Sequence, residues 1–127
     1  SCKDNIQLLG LIPKKDQLGI MRNAIALVQP TRFEGGPGGG SVYDAMAMQV
    51  PCIVSNIEIN KELPKSKRIH YFDVDSSEDL VKKMEMIKSY NYKRIGKRTL
   101  LDSRKKNMEK YAKWLYVTID SVIKVEE

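Results

Sequence analysis

The chain has 127 residues, 42% of them hydrophobic and 30% charged, with a formal net charge of +6. That is enough apolar content for one compact core. No apolar run reaches the length of a membrane-spanning helix, and nothing at the N-terminus reads as a signal peptide. The charge is uneven. Residues 1–60 hold five Lys/Arg and five Asp/Glu, while residues 61–127 hold seventeen against eleven. The two cysteines form no ligand motif. Cys52, in "PCIVS", reads as a buried, reduced thiol that fits a cytosolic setting.

In chain order, "NIQLLG" (5–10) is a short apolar run ended by glycine and is expected to be a strand. "KKDQLGIMRNA" (14–24) spaces Leu18, Met21 and Ile25 as a helix does. "IALVQP" (25–30) is a continuous apolar run stopped by Pro30, which predicts a strand buried on both faces, as in a parallel sheet. A glycine loop follows. "SVYDAMAMQ" (41–49) is rich in helix formers and offers Ser41 as an N-cap. "PCIVS" (51–55) is a second buried strand, "NIEINKELPKSKR" (56–68) a loop or short helical turn, and "IHYFDV" (69–74) a third strand. "SSEDLVKKMEMIKSY" (76–90) is a helix with a serine cap, early acids and a stripe of Leu80, Val81, Met84 and Ile87. A last helix, about 103–125, carries Met108, Tyr111, Ala112, Leu115, Ile119 and Val122 at steps of three and four, with Trp114 beside them. That stripe is expected to be core. Helices alternating with short buried strands predict an α/β fold: a Rossmann-like parallel sheet with helices on both faces, in one domain.

The run Gly35–Gly40, broken only by Pro37, is the least ordinary feature. Glycine loses more conformational freedom on folding than any other residue, so such a run needs a compensating use. A dinucleotide fingerprint started at Gly36 fails at its third glycine, where Ser41 stands, and a Walker loop fails because no lysine follows Gly40. An anion site remains, because the run lies between a buried strand and a helix N-terminus. There the N–H groups of Ser41, Val42 and Tyr43 are expected to be free and the helix dipole is positive. The flanking acids Glu34 and Asp44 suit hydroxyl groups, since a carboxylate only accepts hydrogen bonds. Phosphate on backbone and hydroxyls on two acids describe a nucleotide-sugar. His70, the sole histidine, reads as structural, and no protein metal site is expected.

The ordered series "NIQLLGLIP", "LGIMRNAIALVQPTRFEGGPGGGSVYDAMAMQVPCIVSNIEINKE", "IHYFDVDSSEDLVKKM" and "YAKWLYVTIDSVI" resembles the C-terminal half of a GT-B glycosyltransferase over about 120 residues. The likeness is to the retaining group 1, family-four type, which uses UDP-sugars or GDP-mannose. By that resemblance Glu34 matches the acid that contacts the donor sugar and takes the catalytic role, and Asp44 matches the acid that holds the ribose hydroxyls. Gly38, Gly39, Gly40, Ser41 and Val42 match the loop whose backbone meets sugar and phosphate. Leu11 and Ile12 match the turn that packs on the base, and Thr31 the hydroxyl near the phosphates. No cofactor and no metal are implied, only the donor substrate.

Two departures stand out. Nine residues separate Glu34 from Asp44, two more than is usual in the family, and the second acid is Asp rather than Glu. The resemblance also implies that two βα units carrying the diphosphate-neutralising cations, and the acceptor-binding half, are missing. The chain then reads as a domain fragment, inactive alone. With central strands absent, either its first strand re-pairs or the chain forms a homo-oligomer. The implied setting is cytoplasmic, with the basic 61–110 region peripheral at the inner membrane face and no nucleic acid bound. Two readings remain beside it: a non-catalytic nucleotide-binding module, and a binder of anionic membrane or nucleic acid through that basic region.

Overall fold

The structure, a computed structural model, describes residues 5–90, 92 and 97–123. The chain divides into two units, one ending at Tyr92 and one beginning at Lys93. The first unit holds α1 (Lys14–Asn23), β1 (Leu27–Gln29), α2 (Gly39–Ala47), β2 (Cys52–Ser55), β3 (Ile69–Phe72) and α3 (Ser77–Ser89). The three strands form one parallel sheet in the order β1-β2-β3. Leu27 pairs with Cys52, and Cys52 in turn with Ile69.

Every residue of β2 is buried, as a central strand requires. Its pleat sorts the core into two faces. Cys52 and Val54 pack with Val42 and Ala45 of α2, together with Val50, Leu63 and Ile69, and Met21 of α1 closes on the same cluster. Ile53 points the other way and packs with Phe72 and with Ile87 of α3. Helices therefore cover both faces, and the Rossmann-like α/β architecture expected from the alternation is present. Burying a side chain such as Ile53 or Ile87 stabilises by roughly 1.5–3 kcal/mol. The cap of α3 is the one read from the sequence: Ser76 Oγ accepts the Asp79 N–H at 3.1 Å.

Four expectations are corrected. Residues 6–10 form no strand, and Leu8 and Leu11 are fully exposed. A strand is held by its ladder, and no neighbour is in place to accept this segment's N–H and C=O groups. It has not re-paired with the sheet. β1 has only three residues, all half-buried, because it is hydrogen-bonded to β2 on one side alone. Helix α2 starts at Gly39, two residues before the expected cap. The fourth correction concerns the stripe of α3. Leu80 and Ile87 pack inward, but Val81 and Met84 are about half exposed. They line an open apolar groove of about 410 Å³ with Ile25, Val28 and Ile53.

The second unit is one helix, α4 (Lys97–Ile123), beginning six residues before the expected start. At about 1.5 Å per residue it is about 40 Å long. Tyr111 stacks on Trp114 at 5.8 Å. The stripe residues Met108, Tyr111, Leu115 and Ile119 are exposed rather than core. A single helix cannot bury its own apolar face. Val122 and residues 124–125, also part of the expected element, lie outside the described side chains. No helix among the described residues is long and apolar enough to cross a membrane.

Candidate functional site

The carboxyl ends of the three strands form one rim, the edge at which open α/β sheets bind ligands. Side chains from neighbouring strand ends knit it together. Asn56 Nδ2 donates to Asp73 Oδ1 at 2.7 Å, and the Val74 N–H donates to Asn56 Oδ1 at 3.0 Å. The Asp73 N–H donates to Asp79 Oδ2 at 2.8 Å.

The glycine run leaves this rim from β1 and ends in α2. Its five glycines are not equivalent. Gly38 and Gly39 have φ of +65° and +62°, the left-handed region that favours glycine. A Cβ on Gly38 would also lie 2.8 Å from Val42 Cβ, and Val42 is wholly buried. A Cβ on Gly39 would lie 3.0 Å from Glu34 Oε2, so the Glu34 carboxylate rests against the bare backbone there. Gly35, Gly36 and Gly40 have neither constraint: their φ is ordinary, and a Cβ would meet nothing within 4 Å. Folding explains two of the five glycines. The other three leave open space beside the backbone.

The first four N–H groups of an α-helix, counted from the N-cap, have no acceptor within the helix. With Gly38 as N-cap, these belong to Gly38, Gly39, Gly40 and Ser41. The Gly38 N–H is taken by Asn60 Oδ1 at 2.8 Å, and the Gly39 N–H by Gly36 O at 3.3 Å. Gly40 and Ser41 are therefore first-turn donors without an acceptor in the helix, a shift that adds Gly40 to the expected Ser41, Val42 and Tyr43. The shift follows from the helix starting two residues early. Val42 lies one step further in, and its side chain is core.

Both acids of the site have partners. Gln29 Nε2 donates to Glu34 Oε1 at 2.5 Å, which fixes Glu34 at the end of β1. Asp44 pairs with Lys14 Nζ at the start of α1. Lys14 follows directly on the 11–13 segment, so the ion pair brings the Leu11–Ile12 turn to the α2 side of the site. Leu11 is fully exposed and Ile12 half-buried. Thr31 begins the loop. Its carbonyl accepts from Ser55 Oγ at 2.5 Å, while its own Oγ1 is buried without a partner. Next to it, Arg32 is ion-paired to Asp75 at 2.7 Å across the rim.

Sequence reasoning did not single out Asn60, Ser55, Gln29 or Lys14. Asn60 and Ser55 carried no distinguishing signal, because the stretch from Pro51 to Leu63 also holds Asn56, Glu58, Lys61 and Glu62. His70 keeps its structural role: its Nε2 meets Tyr92 Oη at 2.8 Å. Burial, helped by the Lys83 charge, holds its pKa below the ordinary value. Cys52 is a buried thiol pushed up to about 11 by desolvation. Among the described residues no group of three or more His, Cys, Asp or Glu is placed to hold a metal ion.

A three-stranded parallel sheet covered by helices, with a glycine loop, a helix N-terminus and two acids at its rim, defines a Rossmann-like α/β domain. The family is then specific: residues 1–113 match the model of the glycosyl transferases group 1 family, and the chain belongs to that family. No curated protein and no solved structure matches it. Membership gives a sugar-transfer enzyme as the parent activity.

Proposed function

We propose that the chain is the donor-binding portion of a retaining GT-B glycosyltransferase of the family-four type. The parent enzyme moves a sugar from a nucleoside-diphosphate sugar to an acceptor hydroxyl. The observation that carries the reading is the division of the glycine run. Gly35, Gly36 and Gly40 need not be glycine for the fold, and they leave room for a ligand against the backbone beside the unclaimed Gly40 and Ser41 N–H groups. A diphosphate there receives two N–H donors and the positive end of the α2 dipole.

In this scheme the helix N-terminus stabilises charge on the departing diphosphate, the kind of preorganised electrostatic effect that dominates many active sites. Glu34, oriented by Gln29, accepts from a donor-sugar hydroxyl. Asp44 accepts from the ribose hydroxyls once it shares or releases Lys14. The Leu11–Ile12 turn offers apolar surface to the base. The acceptor half and further diphosphate cations would come from other parts of the parent enzyme, and no metal is required. The chain alone binds donor weakly and does not turn it over. Tyr92, one of two tyrosines set among the basic residues, is already engaged by His70 and lies 4.9 Å under Arg68. That supports the donor reading over one in which this ring stacks on nucleic-acid bases.

Calorimetric titration of UDP, GDP and their sugars into the chain tests the reading. Saturable binding, weakened by Glu34→Ala only when the sugar is present and by Asp44→Ala with either ligand, is expected. A folded chain that binds none of them would instead favour a non-catalytic role.

A further inference from the structure

Asn60 has no exposed surface, and both ends of its amide are used. Oδ1 accepts the Gly38 N–H at 2.8 Å. Nδ2 donates to Ser55 O at 2.9 Å and lies 3.3 Å from Ser55 Oγ. The Asn60 carbonyl accepts from Tyr71 Oη at 2.9 Å, which pins the short 3-10 turn Glu58–Glu62 to β3. The Ser55 hydroxyl donates onward to Thr31 O at 2.5 Å. The two ends of the glycine loop, Thr31 and Gly38, are thus fastened to one buried pair at the end of β2. The six residues between them, Arg32 to Pro37, span from one fastening to the other.

A buried amide satisfied on both sides is specific about geometry, because any slip leaves a desolvated donor or acceptor unpaired. The geometry held here is that of the N-cap. Gly38 sits at φ +65°, and its N–H is the first of the four that the helix leaves over. By claiming that N–H, Asn60 sets the direction from which α2 begins and therefore where the Gly40 and Ser41 N–H groups point. We infer that Asn60, supported by Ser55, is the positioning residue of the anion cradle: it touches no ligand but fixes the two N–H groups that do. The inference rests on the donor-site reading of that cradle.

The test uses the whole chain with UDP and GDP as probes, followed by NMR, together with amide hydrogen exchange on the ligand-free protein. Asn60→Ala should speed exchange at Gly38 to Ser41 and weaken UDP or GDP binding about tenfold, the scale of one net hydrogen bond. Ser55→Ala, which keeps the Gly38 contact and folds more readily, should shift both readouts in the same direction by less. Ile87→Val, buried on the opposite face of the sheet, should lower the melting temperature and leave affinity and loop exchange unchanged, which separates positioning from general loss of stability. Wild-type affinity and wild-type exchange in Asn60→Ala and Ser55→Ala would overturn the inference. If the wild-type chain binds neither probe, the donor reading fails, and the exchange data alone decide whether Asn60 holds the loop.

Discussion

Replacing Gly38 by alanine tests the account of the glycine run at its most constrained point. The left-handed conformation at φ +65° costs a residue with a Cβ roughly 1–2 kcal/mol. The new methyl would lie 2.8, 2.9 and 3.0 Å from Val42 Cβ, Cγ1 and Cγ2. Val42 is wholly buried and β-branched, so it has no free rotamer to retreat to. Relieving such a clash in a packed core costs roughly 1–3 kcal/mol. The sum, about 3 kcal/mol, is a large share of the 5–15 kcal/mol typical of small domains. For a unit of this size it lowers the melting temperature by roughly 10–20 °C. The assay is thermal unfolding followed by circular dichroism, with Gly35→Ala as the partner variant. Gly35 has ordinary φ and open space, so its replacement should leave the melting temperature unchanged or raise it slightly by restricting the unfolded chain. A loss below about 1 kcal/mol for Gly38→Ala, or an equal loss for Gly35→Ala, would refute the division of the glycines.

Four further outcomes are expected. Gly40→Ala lies inside α2 with open space, so it should stabilise the fold by about 0.5–1 kcal/mol while weakening UDP binding, two opposite signs read by unfolding and titration. Gln49 holds φ +60° after α2, where the Val50 N–H reaches Ala45 O, and its Oε1 is buried without a partner; Gln49→Gly should therefore stabilise by about 1 kcal/mol in urea unfolding. Cys52 keeps its proton to about pH 11 when folded but loses it near 9 when unfolded, so the unfolded state binds fewer protons between those values. Stability should fall as pH rises from 9 to 11, with a shallower decline in Cys52→Ala. His70 has the opposite sign: its folded pKa lies below 6.5, so the unfolded state binds more protons there. Urea midpoints should drop as pH falls below 6.5, less so in His70→Gln.

The central layers of the fold were legible because their signals are local. "PCIVS" is apolar on both sides of its pleat and is buried throughout. Ser76 precedes two acids and an apolar stripe, and it caps α3 as such a serine should. The misread elements depend on neighbours. "NIQLLG" has the composition of a strand, but a strand forms only against a partner, and Leu8 and Leu11 stand in solvent. The stripe of α4 has helical spacing, yet spacing does not say what covers a face. Tyr111 and Trp114 on it are exposed, and for the exposed Leu8 and Leu11 of the first unit we propose cover by a second copy of the chain. Light scattering that shows oligomers dispersed by Leu8→Asp and Leu11→Asp would support it.

The site was legible at the level of its ingredients and less so in its geometry. Glu34, Asp44 and the glycines mark a cradle by type and order. Five glycines in six positions do not reveal which two take positive φ, and so the start of α2 was misplaced by two residues. Lys14 and Asn60 reach the site from 30 and 22 residues away, and neither belongs to a periodic pattern. Asn60 is recognisable only once its burial and the Gly38 contact are seen together.

The most direct test of the account is the backbone amide spectrum of the chain titrated with UDP and with GDP. The account predicts saturable shifts that are largest at Gly40 and Ser41, extend to Gly35 and Gly36, and are lost in Gly40→Ala although that variant stays folded. Shifts confined to the basic α4 residues, or none at Gly35 to Ser41, would contradict it.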